Sequence, residues 1–156
     1  MEKFLISLDS AEKKIKIADH MTYITFPLLK DRRLLIKILD EVNKSFLEII
    51  NAIIYYEQFY KRIAIHNDPV LNFRLFRERC AQRFGISTSE IEKIMELFVI
   101  IDKHNQSAME FVRNDKFVIM SNNSHTDILT VEKLKEFLNL SKEMFKKTSF
   151  LIQKRG

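Results

Sequence analysis

The longest run of regularly spaced apolar positions lies between residues 35 and 63. Its members follow one another in alternating steps of four and three: Leu35, Leu39, Val42, Phe46, Ile49, Ile53, Tyr56, Tyr60 and Ile63. This near-heptad spacing places one apolar seam along a helix. Three further apolar residues widen the seam near its middle: Leu47, Ile50 and Ile54. The pattern predicts a central helix that partners cover on two sides.

Residues that favour helix starts divide the rest of the chain. Side chains that can accept from free backbone N–H groups occur at four places, namely Asp31, Asp68, Ser87 and Thr130. Pro69 suits a first helical position, and Gly85 suits the left-handed residue that follows a helix. We therefore expect helices from Asp31, from Pro69 to Phe84, from Ser87 to about His104, and from Thr130 to about Gln153. Ser87 and Glu90 predict a capping box for the third of these helices. The expected buried stripes are Phe73, Phe76, Cys80 and Phe84 on the second, and Ile91, Ile94, Met95, Phe98 and Ile101 on the third.

A first helix is predicted from Asp9 or Ser10 to about Phe26. Its expected buried positions are Ala18, Met21, Ile24 and Leu28, with Ile17 beside them. Pro27 disfavours α geometry in the residue before it, so the helix should end or kink at Phe26.

The helical periodicity of apolar residues is interrupted between residues 107 and 130. Ser107 and Glu110 indicate a short helical segment up to Asn114. Lys116–Met120 is an apolar, β-prone run, and the polar residues 121–125 suit a turn before a second strand near 127–130. A small β-hairpin-like excursion is therefore predicted near 116–129.

Composition agrees with a helical fold. The 156 residues include only two glycines and two prolines, whereas 46% are hydrophobic and 13 are phenylalanine. Most folds built on tight turns or phosphate-binding loops need more glycine. We predict a mainly α, single-domain bundle of five to six helices over residues 1–156.

Charge and cysteine usage narrow the class of protein only slightly. The net charge is +5, and residues 61–84 and 131–156 each carry +4. Cys80 is the only cysteine, and no apolar stretch approaches the length that spans a bilayer. We expect a soluble cytoplasmic protein with no membrane partner.

Metal and cofactor motifs do not occur in the sequence. No glutamate has a histidine three residues later, as a di-iron bundle would need, and no two histidines are four residues apart. The prediction is therefore no metal and no cofactor.

Two groups of side chains are candidate binding residues. Tyr55 and Tyr60 lie near Lys61 and Arg62, a combination typical of nucleic-acid stacking surfaces, although Tyr60 also continues the core seam. On the last helix, three lysines share a narrow face that could hold an acidic partner or RNA phosphates: Lys135, Lys142 and Lys146. A solvated helix face remains open as the alternative.

Arg62 and His66 invite comparison with HEPN ribonucleases, helical bundles that dimerise over an Arg–x(4–6)–His motif. Three residues separate Arg62 from His66, one fewer than the motif requires. Lys61 has the matching spacing, but lysine lacks the planar fork of arginine. The resemblance implies a HEPN-like ribonuclease or RNA-binding protein as an alternative function.

A second resemblance involves residues 18–35 (ADHMTYITFPLLKDRRLL) and 112–121 (VRNDKFVIMS). Both stretches resemble segments of small, uncharacterised helical proteins encoded by archaea. That resemblance implies a helical, cytoplasmic, archaeal protein and supplies no site residues. Because apolar residues exceed what one small bundle readily hides, we expect a non-enzymatic binding module that forms a homodimer, with a protein or RNA as a further partner.

Overall fold

Helix α3 (Leu34–Phe59) runs through the middle of the computed structural model, which describes residues 2–106, 109–113, 116–120 and 126–155. Its seam is buried as predicted, with exposures of 3% or less at Leu35, Leu39, Val42, Phe46, Ile49, Ile53 and Tyr56. The helix ends at Phe59, earlier than the predicted Ile63, and Tyr60 is 44% exposed. The predicted central helix is confirmed, but Arg33 is its N-cap residue, so the predicted cap at Asp31 is wrong.

The first helical rod consists of α1 (Lys3–His20), a π-helical turn (Met21–Thr25) and α2 (Phe26–Leu29). It begins at Lys3, so the predicted start near Asp9 is wrong. Its buried positions are Phe4, Leu8, Ala11, Ile15, Ala18, Thr22 and Phe26. Of the predicted stripe, Ile24 and Leu28 are 51% and 78% exposed. Ile17, which precedes the π turn, is also 43% exposed, so these three positions lie on the outward face of the rod and their predicted burial is wrong.

Pro27 does not end this rod. The Phe26 N–H donates to the Met21 carbonyl, one residue further back than in an α-helix. The Thr22 hydroxyl donates to the Ala18 carbonyl at 2.7 Å. Proline lacks the N–H that an α-helix would use, and a π turn is a common way to absorb that defect. The predicted break is therefore a change of helical geometry, and the rod ends at Leu29.

The predicted helix start at Asp68 and Pro69 is confirmed. Helix α4 (Pro69–Leu75) begins where the Asp68 carboxylate accepts the Val70 N–H at 2.9 Å. A π turn (Phe76–Cys80) and a 3₁₀ segment (Ala81–Phe84) continue it to Gly85. The predicted apolar stripe is buried at Phe76, Cys80 and Phe84.

Helix α5 (Thr88–Asn105) opens on the predicted capping box. Ser87 and Glu90 exchange backbone-to-side-chain hydrogen bonds of 3.1 Å in both directions. Ile91 and Ile94 are buried as predicted, whereas Met95 is 38% exposed and Leu97 takes an inward position.

Glu90 also connects this cap to the last helix. Lys147 donates to the Gly85 carbonyl at 3.0 Å and pairs with the Glu90 carboxylate at 3.2 Å. Burial by itself would raise the pKa of Glu90, but the Ser87 N–H and the Lys147 ammonium outweigh it and hold that pKa below its ordinary value. The capping carboxylate therefore stays ionised at neutral pH.

Three antiparallel strands follow, in the order β1 (Met109–Arg113), β2 (Lys116–Met120) and β3 (Thr126–Leu129). The predicted excursion is confirmed and includes one more strand. The predicted helical segment is wrong over Met109–Arg113, because this stretch pairs with β2, Val112 opposite Phe117. Ser107, Asn114 and the predicted turn at 121–125 lie outside the described residues.

Helix α6 (Val131–Arg155) closes the bundle against α3 and α1. The predicted Thr130 cap is present, since its hydroxyl accepts the Lys133 N–H at 3.2 Å. Where α6 meets α3, the hydroxyls of Ser45 and Ser141 hydrogen-bond at 2.6 Å in the core. A mainly α single domain with a small antiparallel sheet is thus confirmed.

Left-handed residues follow three of the helical rods. Lys30, Lys61 and Gly85 have φ values of 53°, 60° and 71°. At each, backbone N–H groups reach back to the last carbonyls, for example from Lys30 to Phe26 at 2.7 Å. A side chain at positive φ costs about 1 kcal/mol, so two of these caps carry strain that glycine avoids.

We expect Lys30→Gly to raise the free energy of unfolding by about 1 kcal/mol, because it relieves this strain. Gly85→Ala should lower it by about the same amount, since only Lys147 Cδ, at 3.9 Å, lies near the added Cβ and φ alone opposes it. Urea unfolding measures both changes. Lys30→Ala is the matched control, and an equal gain in that variant would show that the lysine side chain matters rather than φ.

Candidate functional site

An open cavity of about 550 Å³ lies beyond the C-terminal end of α3. Four basic or titratable residues line it, namely Lys61, Arg62, His66 and Arg79, and we call it the basic cavity. Gln58 and the apolar side chains of Ile63, Ala64 and Leu75 complete its wall. The structure therefore brings the sequence-predicted pair Arg62 and His66 to one cavity, and adds Lys61 and Arg79.

The backbone fixes where Arg62 emerges. The Lys61 N–H donates to the Gln58 carbonyl at 2.8 Å, and the Arg62 N–H donates to the Glu57 carbonyl at 2.9 Å. These two bonds form a Schellman cap, which needs a left-handed residue at Lys61. Non-glycine residues at positive φ concentrate at functional sites.

A buried carboxylate holds the Arg62 side chain. Glu57 is 1% exposed, and its oxygens lie 3.3 Å from Arg62 Nη1 and 3.1 Å from Arg83 Nε. Neither contact has hydrogen-bond alignment, so charge attraction dominates. The Arg62 guanidinium also lies over the Tyr60 ring, 5.2 Å from its centroid. Arg62 is thus positioned by a charge and by an aromatic face.

His66 is positioned through its backbone. Its N–H donates to Asn72 Oδ1 at 2.8 Å, and its carbonyl accepts from Asn72 Nδ2 at 2.9 Å. The side chain is exposed. Within the described part of the chain, no hydrogen bond joins its imidazole to Arg62. The two residues therefore share the cavity without the direct contact of a preformed acid–base pair.

The predicted aromatic residues belong to a packed cluster. The Tyr60 ring contacts Tyr56 and Phe59 at centroid distances of 4.9 and 5.1 Å, while Lys3 lies over Tyr55 at 5.7 Å. Phe4 joins the same cluster through Tyr56 at 5.3 Å. Packing therefore already uses much of the ring surface that base stacking would need.

The predicted lysine row on α6 is largely engaged within the chain. Lys142 pairs with Asp19 of α1, and both Lys135 and Lys142 lie over the Tyr23 ring, at 5.3 and 5.5 Å. Lys146 is exposed at the edge of a shallow site beside them. Its role in binding an anionic partner stays a prediction.

Cys80 lies close to the basic cavity but is buried. Burial, with a smaller contribution from the Glu57 carboxylate, raises the pKa of the Cys80 thiol to about 11, against the lowering effect of Arg83 and Arg79. The thiol is therefore protonated at neutral pH and a poor nucleophile.

A second feature, which sequence reasoning missed as a site, is an apolar groove of about 520 Å³ between α3, α4 and α5. Its apolar walls, which define the apolar groove below, are Leu47, Ile50, Ile54, Val70, Phe73 and Phe98. Leu47 and Val70 are 43% and 67% exposed. The widening of the α3 seam by Leu47, Ile50 and Ile54 was the sequence signal for this surface.

Among the described residues, no group of three or more His, Cys, Asp or Glu side chains could hold a metal ion. Likewise, none of the helices described combines the length and apolar character needed to cross a bilayer.

Comparison of the chain with protein-family models, curated proteins and solved structures yields no match. The resemblances to archaeal helical proteins and to HEPN ribonucleases therefore stay predictions.

The Glu57 cluster makes a stability prediction. Arg62→Gln and Arg83→Gln should each lower the free energy of unfolding by about 1 kcal/mol, because the other guanidinium still neutralises Glu57. The double variant should lose about 1 kcal/mol beyond their sum, since it leaves a buried carboxylate without a cation. Urea unfolding at pH 7 measures this coupling. In a Glu57→Gln background the effects of Arg62→Gln and Arg83→Gln on the free energy of unfolding should become additive. Additive effects in the wild-type background would contradict a shared role of the two arginines in neutralising Glu57.

Proposed function

We propose that this chain is a non-enzymatic interaction protein that forms a homodimer through the apolar groove. The observation that carries the proposal is the groove itself, which three helices line with apolar side chains open to water. Exposed apolar area of this kind usually marks a contact surface.

The groove offers a surface suited to self-association. Phe73 packs edge-on against Phe98, with ring centroids 5.4 Å apart. Met95 and Val99 extend the apolar surface along α5, with exposures of 38% and 52%. A two-fold arrangement would place the same patch of each copy against the other, and most soluble homodimers are built this way.

Val70→Glu and Leu47→Glu test this proposal. Both positions are exposed, so the bundle should fold, but a charge in the groove should weaken the dimer by about tenfold or more. Sedimentation equilibrium of the wild type and the variants measures the dissociation constant.

Leu28→Glu is the matched control, because Leu28 is 78% exposed but does not line the groove. It should leave the dimer unchanged. A wild-type protein that stays monomeric at high concentration, or a dimer that only Leu28→Glu disrupts, would refute the proposed interface.

RNA binding or HEPN-like cleavage is a second candidate. The observation in its favour is that Arg62 and His66 line one cavity. Two further cationic side chains, Lys61 and Arg79, line the same cavity. A histidine there could act as a general acid or base, and the arginine could stabilise phosphate charge.

If this second candidate is right, His66→Ala should abolish cleavage of single-stranded RNA while leaving RNA affinity within about twofold. Gel analysis of labelled RNA and fluorescence anisotropy measure the two properties. Wild-type protein that neither cleaves nor binds RNA would exclude the candidate.

A further inference from the structure

The basic cavity combines the features of a site for a small anion. Lys61, Arg62 and Arg79, which line it, are cationic. Within the described residues, no carboxylate lines the cavity. We propose that the basic cavity binds a phosphate group, either as inorganic phosphate or as the phosphate of a mononucleotide. This inference does not depend on the proposed dimer.

Arg62 is already held in place before any ligand arrives. Its Nη1 atom lies 3.3 Å from the Glu57 carboxylate, and the guanidinium lies over the Tyr60 ring. The other N–H donors of the guanidinium remain available to a ligand, and the Arg62 side chain is 28% exposed. A planar fork matches two phosphate oxygens, and prior positioning reduces the entropy that binding would cost.

The local charge balance stays positive. Glu57 divides its single negative charge between Arg62 and Arg83. No acidic side chain in the described ranges lies within ion-pair distance of Lys61 or Arg79, unlike many other lysines of this chain, such as Lys13 and Lys44, which pair along their own helices. An entering phosphate would therefore meet cations that lack an acidic partner.

The direction of α3 opposes an anion here, because a helix carries partial negative charge at its C-terminus. The Schellman cap reduces this effect. The carbonyls of Glu57 and Gln58 already accept the N–H groups of Arg62 and Lys61. These hydrogen bonds partly compensate the partial negative charge of the two carbonyls, so the helix end opposes an anion in the basic cavity less strongly.

A compact phosphate suits this site better than a nucleic-acid strand. Strand binding needs a track of cations with free aromatic faces. Here the Arg62 guanidinium lies over the Tyr60 ring, which also contacts Tyr56, and Lys142 on α6 is paired with Asp19. A volume of about 550 Å³ lies within the range of small-ligand sites.

Titration of the ¹⁵N-labelled protein with inorganic phosphate, adenosine 5′-monophosphate and adenosine tests the proposal, with ionic strength held constant by chloride. Phosphate and the mononucleotide should shift the amide signals of residues 58–66 and 79 in a saturable manner, and adenosine should not. Tighter binding of the mononucleotide than of phosphate would identify a nucleotide as the source. Equal affinity would identify the phosphate group alone.

Variants locate the site. Arg79→Gln should weaken phosphate binding about tenfold, and Arg62→Lys, which keeps the charge opposite Glu57 but loses the planar fork, should weaken it about threefold. Arg74→Gln makes the same charge change at an exposed residue that does not line the cavity. This control should leave the affinity unchanged.

Three results would overturn the proposal. The first is the absence of saturable shifts with phosphate and the mononucleotide. The second is an equal loss in Arg74→Gln, which would indicate general charge attraction. The third is binding of a single-stranded RNA of about 20 nucleotides without binding of either small probe, which would favour the RNA candidate instead. Sedimentation of the same samples reports on the dimer separately, so failure of one proposal is distinguishable from failure of the other.

Discussion

Burial of α3 on nearly all sides is the constraint on which the rest of this structure depends. A single helix with buried residues on most of its circumference needs several partners, and the α1 rod, the Phe76–Cys80 turn, α5 and α6 all pack against it. Close approach requires small side chains, which explains Ala11 and Ala18 on α1 and Ser141 on α6 at 0% exposure. The few buried polar groups must then find partners inside the bundle, as Ser45 does with Ser141.

The basic cavity lies where this coverage ends. Glu57 is the last buried residue of α3, and beyond it the chain turns through a left-handed lysine into an irregular stretch. The cations that neutralise Glu57 come from that stretch and from the 3₁₀ segment. The interaction that stabilises the end of the helix also places Arg62 at the surface, so the stability of α3 and the geometry of the cavity have a common origin.

Sequence reasoning predicted the elements whose signals are local. The Asp68 cap, the Ser87–Glu90 box and the Gly85 stop each depend on a few neighbouring residues, and all are present. The inward face of the first rod was predicted poorly, because Ile17, Ile24 and Leu28 also recur at helical spacing, and spacing alone does not decide which face of a helix packs inward. Strand β1 was also missed, since pairing with β2 decides its conformation, and pairing is a tertiary property.

The candidate site was predictable only in part. Arg62 and His66 were selected by their spacing, but nothing in the sequence pairs Arg62 with Glu57 or adds Arg79 from a different helix. The apolar groove was hidden for a similar reason, because its walls come from three separate helices. Periodicity identifies which positions are apolar, whereas only the packing of helices decides which of them stay open to water.

Cys80 gives this bundle an internal reporter. Its thiol is buried and protonated at neutral pH, and it is the chain's only cysteine. An alkylating reagent can therefore reach the sulfur only when the segment around Phe76–Phe84 separates from α3. The labelling rate of the native protein would measure how often that segment opens, beside the cavity and without any engineered probe.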